Sequence, residues 1–287
     1  MTAESIAVDH EARLPDGRRL AGKSFGRPDG RPVLFVAGAG TGSSMSFGGE
    51  LLDEMRVRLI TMDRPGMGGS DADPDRTPSS TARDYRDFVR AVLGEPVADV
   101  PVVANSQGAL FGLAMAVAGW SRPCVLVSPM DEVAHPAIRS QLPPAALELP
   151  DLVRDDPARA RDVLGGFSAA DMEQMVVGGS SGGDRDVYAQ PDFLATYRVA
   201  LAEGFGGAGA GYVQDTVMAM SPWGLRLDAI DLPVHVLYGD EDRTHSPDLG
   251  ETLASRIPGA RREVVAGAGG ALLWTHSRRV LEIALDG

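Results

Sequence analysis

Hydrophobic and polar positions change their period along this chain, and the changes mark out its elements. From 6 to 14 they alternate, Pro15-Asp16-Gly17 supplies turn chemistry, and a second alternating run follows over 19–25. Period two on both sides of a turn predicts an antiparallel hairpin. After a polar turn at 27–31 the pattern becomes short runs rich in β-branched residues at 33–36, 57–62, 100–103, 124–127, 234–238 and 263–265. Most of these are separated by stretches of helical period, such as 80–93, 109–118 and 249–256. Buried strands alternating with helices predict a mostly parallel central sheet flanked by helices on both faces, an α/β fold. Between about 131 and 228 the strand signal stops. Helical patterns at 157–164, 169–177, 193–203 and 212–219 are joined there by glycine-rich stretches at 178–183 and 204–211. The reading is a core of 1–130 and 229–287 with an inserted helical cap of 131–228, whose glycine joints are expected to be mobile.

A length of 287 residues suits one large domain, or one with an insertion. The net charge of −13 argues against partners rich in phosphate, so neither nucleic acid nor an anionic membrane is expected. Acidic residues run through the first 26 positions with no basic start before an apolar stretch, and no later apolar run is long enough to span a bilayer. The single cysteine, Cys124, lies in an apolar run and reads as a buried thiol; with no disulfide framework, the cytoplasm is the expected compartment. No metal cluster, P-loop lysine or dinucleotide fingerprint is present, so neither metal nor cofactor is expected. The expected partner is a hydrophobic small molecule, and self-association stays open.

In an open parallel sheet ligands bind at the carboxyl ends of the strands, so the residues just after each strand carry the chemistry. The run at 100–103 leads through Ala104-Asn105-Ser106-Gln107-Gly108 into a helical pattern. This is the strand, tight turn and helix of a nucleophile elbow, with small residues where the two backbones meet. A serine before a helix ordinarily caps it, but its place in the sheet favours a nucleophile. After 33–36 comes Ala37-Gly38-Ala39-Gly40-Thr41-Gly42, read as an oxyanion loop in which the Ala39 amide converges with that of Gln107.

After 57–62 stands Asp63-Arg64-Pro65-Gly66-Met67-Gly68-Gly69-Ser70, and Ser221-Pro222-Trp223-Gly224 leads into the run at 234–238. With the elbow, these segments resemble the α/β-hydrolase superfamily, and within it the cap-bearing esterases, lactonases and methylesterases of actinobacterial natural-product pathways. The resemblance runs from about residue 6 to the C-terminus and is weakest in the cap. It implies an α/β-hydrolase fold and a carbonyl, ester or lactone substrate, with a place in specialised, polyketide-type metabolism. In that family the turn at Asp63 is chiefly structural. Asp242, in Gly239-Asp240-Glu241-Asp242, takes the triad acid position. The last loop, Gly267-Ala268-Gly269-Gly270, has Gly270 where the family pattern carries the triad histidine.

Five histidines could supply a base. His10 and His235 read as structural, and His276 joins the C-terminal helix away from Ser106. His245 shares the loop of Asp242, and His135 opens the cap. Without a cationic neighbour a buried Asp242 is expected to have a raised pKa suited to proton transfer. Three functions follow: a cyclase, lyase or isomerase using the oxyanion hole; a serine esterase, lactonase or thioesterase with His245 or His135 as substitute base; or a binding protein that lost the chemistry. Gly38, Gly270, Met130, Trp223 and Trp274 are expected at the substrate. Met172, Met175, Tyr188, Phe193, Tyr197, Phe205 and Met218 offer further apolar surface in the cap.

Overall fold

A computed structural model describes residues 7–94, 100–180 and 182–286. Its strands are β1 (Val8–Arg13), β2 (Arg19–Gly26), β3 (Arg31–Val36), β4 (Val57–Met62), β5 (Val100–Ser106), β6 (Ser121–Pro129), β7 (Val234–Gly239) and β8 (Arg261–Val265). They form one eight-stranded sheet in the order β1-β2-β4-β3-β5-β6-β7-β8. The expected hairpin is β1 against β2; Ile6, which the alternating run included, lies outside the described residues. β2 runs antiparallel to β4, and every later pairing is parallel, with β5 central between β3 and β6. Val102, Val103 and Ala104 of β5 are buried on both faces, which is why this strand reads as a continuous apolar run.

Helices α1 (Leu51–Glu54), α2 (Pro78–Leu93) and α3 (Ala109–Val117) cross between the first parallel strands. α2 starts at a Thr77–Ser80 capping box with Pro78 in its first turn and ends on Gly94 in the left-handed region, so both ends are specified locally. Its Ala82, Tyr85, Phe88 and Val89 fall on one face and bury against one side of the sheet beside Phe111. Burying a phenylalanine such as Phe88 stabilises by about 1.5–3 kcal/mol.

Among the described residues no strand lies between β6 and β7. The chain there forms α4 (Pro136–Arg139), α5 (Pro144–Asp155), α6 (Pro157–Gly165), α7 (Ala169–Glu173), a π-helical turn at Gln174–Gly178, α8 (Gly182–Tyr188), α9 (Pro191–Gly204) and α10 (Ala210–Met220). After β7 come α11 (Glu251–Ser255), α12 (Leu272–Thr275) and α13 (Ser277–Leu285). The helix expected over 169–177 is thus split, and α4, α5 and α8 went unpredicted. α5 hides behind Pro144 in its first turn and Pro150 inside it.

The inserted helices are fastened to the sheet loops. Asp215 of α10 lies 2.5 Å from both Arg64 and Arg76, and all three side chains are buried. Glu203 of α9 accepts from the Ser44 amide at 2.8 Å and its hydroxyl at 2.6 Å. The joint at 204–211, expected to be mobile, is packed at both ends and exposed at Gly207 and Ala208: a Cβ on Gly204 would meet the Gly40 carbonyl oxygen at 2.0 Å, and one on Gly211 would meet Met67 Cγ at 2.6 Å. Those glycines serve close approach rather than freedom. The joint at 178–183 includes Ser181, which lies outside the described residues.

Candidate active site

Ser106 ends β5 with φ +52°, a left-handed backbone that a non-glycine residue holds only when its surroundings impose it. The surroundings are tight. A Cβ on Gly108 would lie 2.4 Å from the Val36 carbonyl oxygen, and one on Gly112 would lie 2.8 Å from Ala104 Cβ. Strand and helix therefore meet over Ala104, Gly108 and Gly112, and the turn between them lifts Ser106. Two bonds brace it: Asn105 Nδ2 donates to the Val127 carbonyl at 2.9 Å, and the Met130 amide donates to the Ser106 carbonyl at 2.9 Å.

The loop after β3 passes beside the serine so closely that a Cβ on Gly38 would sit 3.3 Å from Ser106 Cβ. Arg64 reaches this loop from the turn after β4. Its Nη1 donates to the Ala37 carbonyl at 2.9 Å and its Nη2 to the Gly38 carbonyl at 2.8 Å. Holding those carbonyls on the arginine side fixes the peptide planes that precede the Ala39 amide. Among the described residues neither the Ala39 amide nor the Gln107 amide donates to a protein acceptor, and both residues line the same cavity as Ser106. Two unspent backbone donors beside a serine are what an oxyanion requires. Asp63 has a different task, accepting from the Ser43 amide at 2.6 Å and the Gly69 amide at 3.0 Å, as its structural reading implied.

The loop after β7 departs from expectation at Asp242. Its carboxylate accepts the Thr244 amide at 3.0 Å and the His245 amide at 3.2 Å, and His245 Nδ1 stands 2.9 Å from Oδ2. Burial pushes this carboxyl up, but the hydrogen bond and charge of the His245 ring, with the two amides, outweigh it and hold the pKa at about 2. The expected rise is therefore corrected: Asp242 is ionised and partnered. With Nδ1 facing a carboxylate, the hydrogen-bond network assigns the proton to Nδ1 and leaves the lone pair on Nε2.

Gly270 explains how the ring fits. A Cβ there would lie 3.1 Å from His245 Cε1 and 3.4 Å from Nδ1, so the imidazole occupies the space that a side chain at 270 would need. The signal was present in the sequence as a histidine three residues after the acid together with a glycine in the last loop.

Ser106 and His245 line one cavity of about 640 Å³ between the sheet and the inserted helices, and among the described residues no hydrogen bond joins the two side chains. Gly38, Ala39, Ser106, Gln107, Met130, His245, Gly270 and Trp274 line it, with Met172, Met175, Tyr188, Phe193 and Tyr197. Asp242 is buried behind His245. Trp223 does not reach the cavity: it packs in the core beside Leu227, and its Nε1 donates to the Ala219 carbonyl at 3.1 Å. Met218 is core as well, and Phe205 lies tilted against Tyr212 with ring centroids 4.5 Å apart. His135 heads α4 outside the lining. His10 bonds Ser24 at 2.8 Å, and His276 sits at the start of α13. Sequence reasoning missed Ile138, Leu142 and Leu149, because the proline-rich α4 and α5 were not seen as helices. Among the described residues no group of three or more His, Cys, Asp or Glu side chains could hold a metal ion.

The sequence profile of the alpha/beta hydrolase family matches residues 33–283. No curated protein matches. Solved structures do. An enol-lactonase from Burkholderia xenovorans LB400 superposes with a TM-score of 0.66 at 18% identity, covering 96% of this chain and 98% of that one. An esterase, RhEst1, from Rhodococcus sp. ECU1013 gives 0.61 at 21% identity, covering 96% and 97%. A bromoperoxidase from Bacillus anthracis gives 0.67 at 19% identity, covering 98% and 100%. Likenesses at this identity show the fold.

Proposed function

This chain belongs to the alpha/beta hydrolase family, and from that premise we propose that it is a serine hydrolase of neutral carboxylic esters or lactones in which His245 serves as the base. One observation carries the reading: the His245 ring, bonded through Nδ1 to the buried Asp242, fills the space beside Gly270 in the cavity that holds the elbow serine. The base has moved from the last loop to the acid's own loop, and the missing side chain at 270 is what admits it.

The chemistry then follows the ordinary acyl-transfer course. Nε2 of His245 takes the Ser106 hydroxyl proton as Oγ attacks the substrate carbonyl carbon. The carbonyl π electrons move to oxygen, where the Ala39 and Gln107 amides stabilise the charge. Collapse of that intermediate expels the alkoxide, which takes the proton from imidazolium, and leaves an acyl-serine. A water, deprotonated by the same nitrogen, attacks the acyl carbon, and collapse of the second intermediate breaks the acyl–Oγ bond, releasing the acid while Ser106 Oγ takes the proton back from imidazolium. Asp242 keeps the tautomer and stabilises the imidazolium throughout. A non-hydrolytic proton transfer by Asp242 loses its support, because that reading needed an unpartnered carboxyl with a raised pKa. The lining is mainly apolar, which favours a hydrophobic neutral substrate, and two of the structural neighbours are named for lactone and ester chemistry.

Steady-state hydrolysis of nitrophenyl esters and simple lactones tests the reading. Ser106→Ala and His245→Ala should each lower kcat by about 10⁴-fold or more, while His135→Ala leaves it unchanged. Activity retained in His245→Ala overturns the assignment of the base. Binding without turnover of any ester by the wild type would favour a ligand-binding protein instead.

A further inference from the structure

Helix α8 brings to this site a carboxylate that the mechanism above does not use. Asp184 accepts the Gly270 amide on Oδ2 at 2.8 Å and the Ala271 amide on Oδ1 at 2.9 Å. Those two amides belong to the short backbone stretch against which the His245 ring rests. The glycines there are a matched pair. A Cβ on Gly269 would strike Asp184 Oδ2 at 2.4 Å, whereas a Cβ on Gly270 would first meet His245 Cε1, at 3.1 Å. A Cβ on Gly270 would also lie 3.6 Å from Asp184 Oδ2, so the carboxylate and the imidazole both border this backbone. A Gly-Gly stretch has no side chains of its own to hold it, so its conformation depends on bonds such as these.

α8 is tied down by a second contact. Tyr188 packs its ring edgewise on Trp274, with centroids 5.8 Å apart, and tilted on Phe193 at 5.2 Å. Docking of this one helix therefore closes part of the cavity wall and sets the last loop together.

We propose that Asp184 is a positioning residue for the reaction: reaching in from the inserted helices, it fixes the Gly269–Ala271 backbone as the rear wall of the His245 imidazole. The inference rests on His245 being the base. A hydrogen bond at Nδ1 alone lets the ring pivot about that contact, and the pivot would swing Nε2. The wall at Gly270 stops it. Asp184 touches neither Ser106 nor the Ala39 amide, so its loss should alter the rate of the chemical step more than the affinity for substrate.

The test uses the full chain and the variants Asp184→Ala and Asp184→Asn. Three quantities are measured: kcat and KM for a nitrophenyl ester, the downfield proton resonance of the hydrogen-bonded imidazole N–H, and the melting temperature. In Asp184→Ala, kcat should fall on the order of 10- to 100-fold with KM within about threefold, and the N–H resonance should broaden or vanish in a protein that still melts cooperatively. Asp184→Asn should fall between, because its one amide oxygen cannot serve both N–H groups equally. Wild-type kcat with an intact resonance in Asp184→Ala overturns the proposal. So does a raised KM at unchanged kcat, which would make Asp184 a docking contact only. If Asp184→Ala does not fold, the near-isosteric Asp184→Asn carries the same reading, and wild-type behaviour there overturns it. Wild-type kcat in His245→Ala, or a resonance that survives it, undoes the base assignment and the proposal that rests on it, whereas wild-type kcat in Asp184→Ala with His245→Ala inactive overturns the proposal alone.

Discussion

Alanine at position 270 would set its Cβ 3.1 Å from His245 Cε1, too close for the ring to stay where it is. The imidazole must give by a few tenths of an ångström, and it is clamped at Nδ1 by Asp242. Gly270→Ala should therefore lower kcat by about 10-fold or more with little change in melting temperature, since small misplacements of a catalytic group are expensive. A histidine at 270 cannot share the space with His245. The double variant His245→Ala with Gly270→His should recover part of the activity that His245→Ala loses, measured as ester hydrolysis. Asp242 adds a pH signature. Its folded pKa of about 2 lies below its ordinary 3.8, so it stabilises the fold above about pH 4 and loses that contribution as pH falls toward 2. The difference is worth about 2 kcal/mol. Denaturant unfolding at pH 5 and pH 2.5 should show a smaller loss in Asp242→Asn than in the wild type. None of this was legible at Asp242 itself. The residue looked unpartnered because the expected loop held no histidine, whereas a turn in which Asp242 accepts the amides of Thr244 and His245 carries the ring back over the carboxylate.

At the scale of elements, what was readable depended on how each stretch declares itself. β3, β4, β5, β6 and β7 showed as β-branched runs because both of their faces are buried, and the elbow showed because its small residues are sterically forced. The inserted helices were harder. α5 carries Pro144 and Pro150, and α8 begins inside a glycine run, so local propensity argued against both while tertiary packing formed them. The docking of α10 was also unreadable, because it rests on three charges far apart in sequence. Asp215 pairs with Arg64 and Arg76 in the interior, and Arg64 in turn holds the carbonyls of Ala37 and Gly38. Asp215→Ala strands two buried guanidinium groups and should cost about 3–5 kcal/mol, read from urea unfolding. An effect below about 1 kcal/mol would mean that water reaches these arginines and that the seam opens.

For the whole molecule, the carboxyl edge of the sheet carries Ser106, the Ala39 and Gln107 amides and His245 at one cavity with Asp242 behind, and the inserted helices supply an apolar roof. The cavity of about 640 Å³ is large for a small ester and lined by Met, Leu, Phe and Tyr side chains. Lengthening a neutral acyl chain should raise kcat/KM by about fourfold per methylene until the space is filled, from roughly 0.8 kcal/mol per buried methylene. A flat series would place the acyl group outside this roof. All of this presupposes that Ser106 is a nucleophile and that His245 activates it. The most direct measurement is the rate at which a fluorophosphonate modifies the protein, followed by mass spectrometry of the labelled peptide, in the wild type and in His245→Ala. One label per chain is expected on Ser106 in the wild type, with labelling slower by about 10²-fold or more in the variant. A serine that stays unlabelled, or labels equally fast without His245, would contradict it.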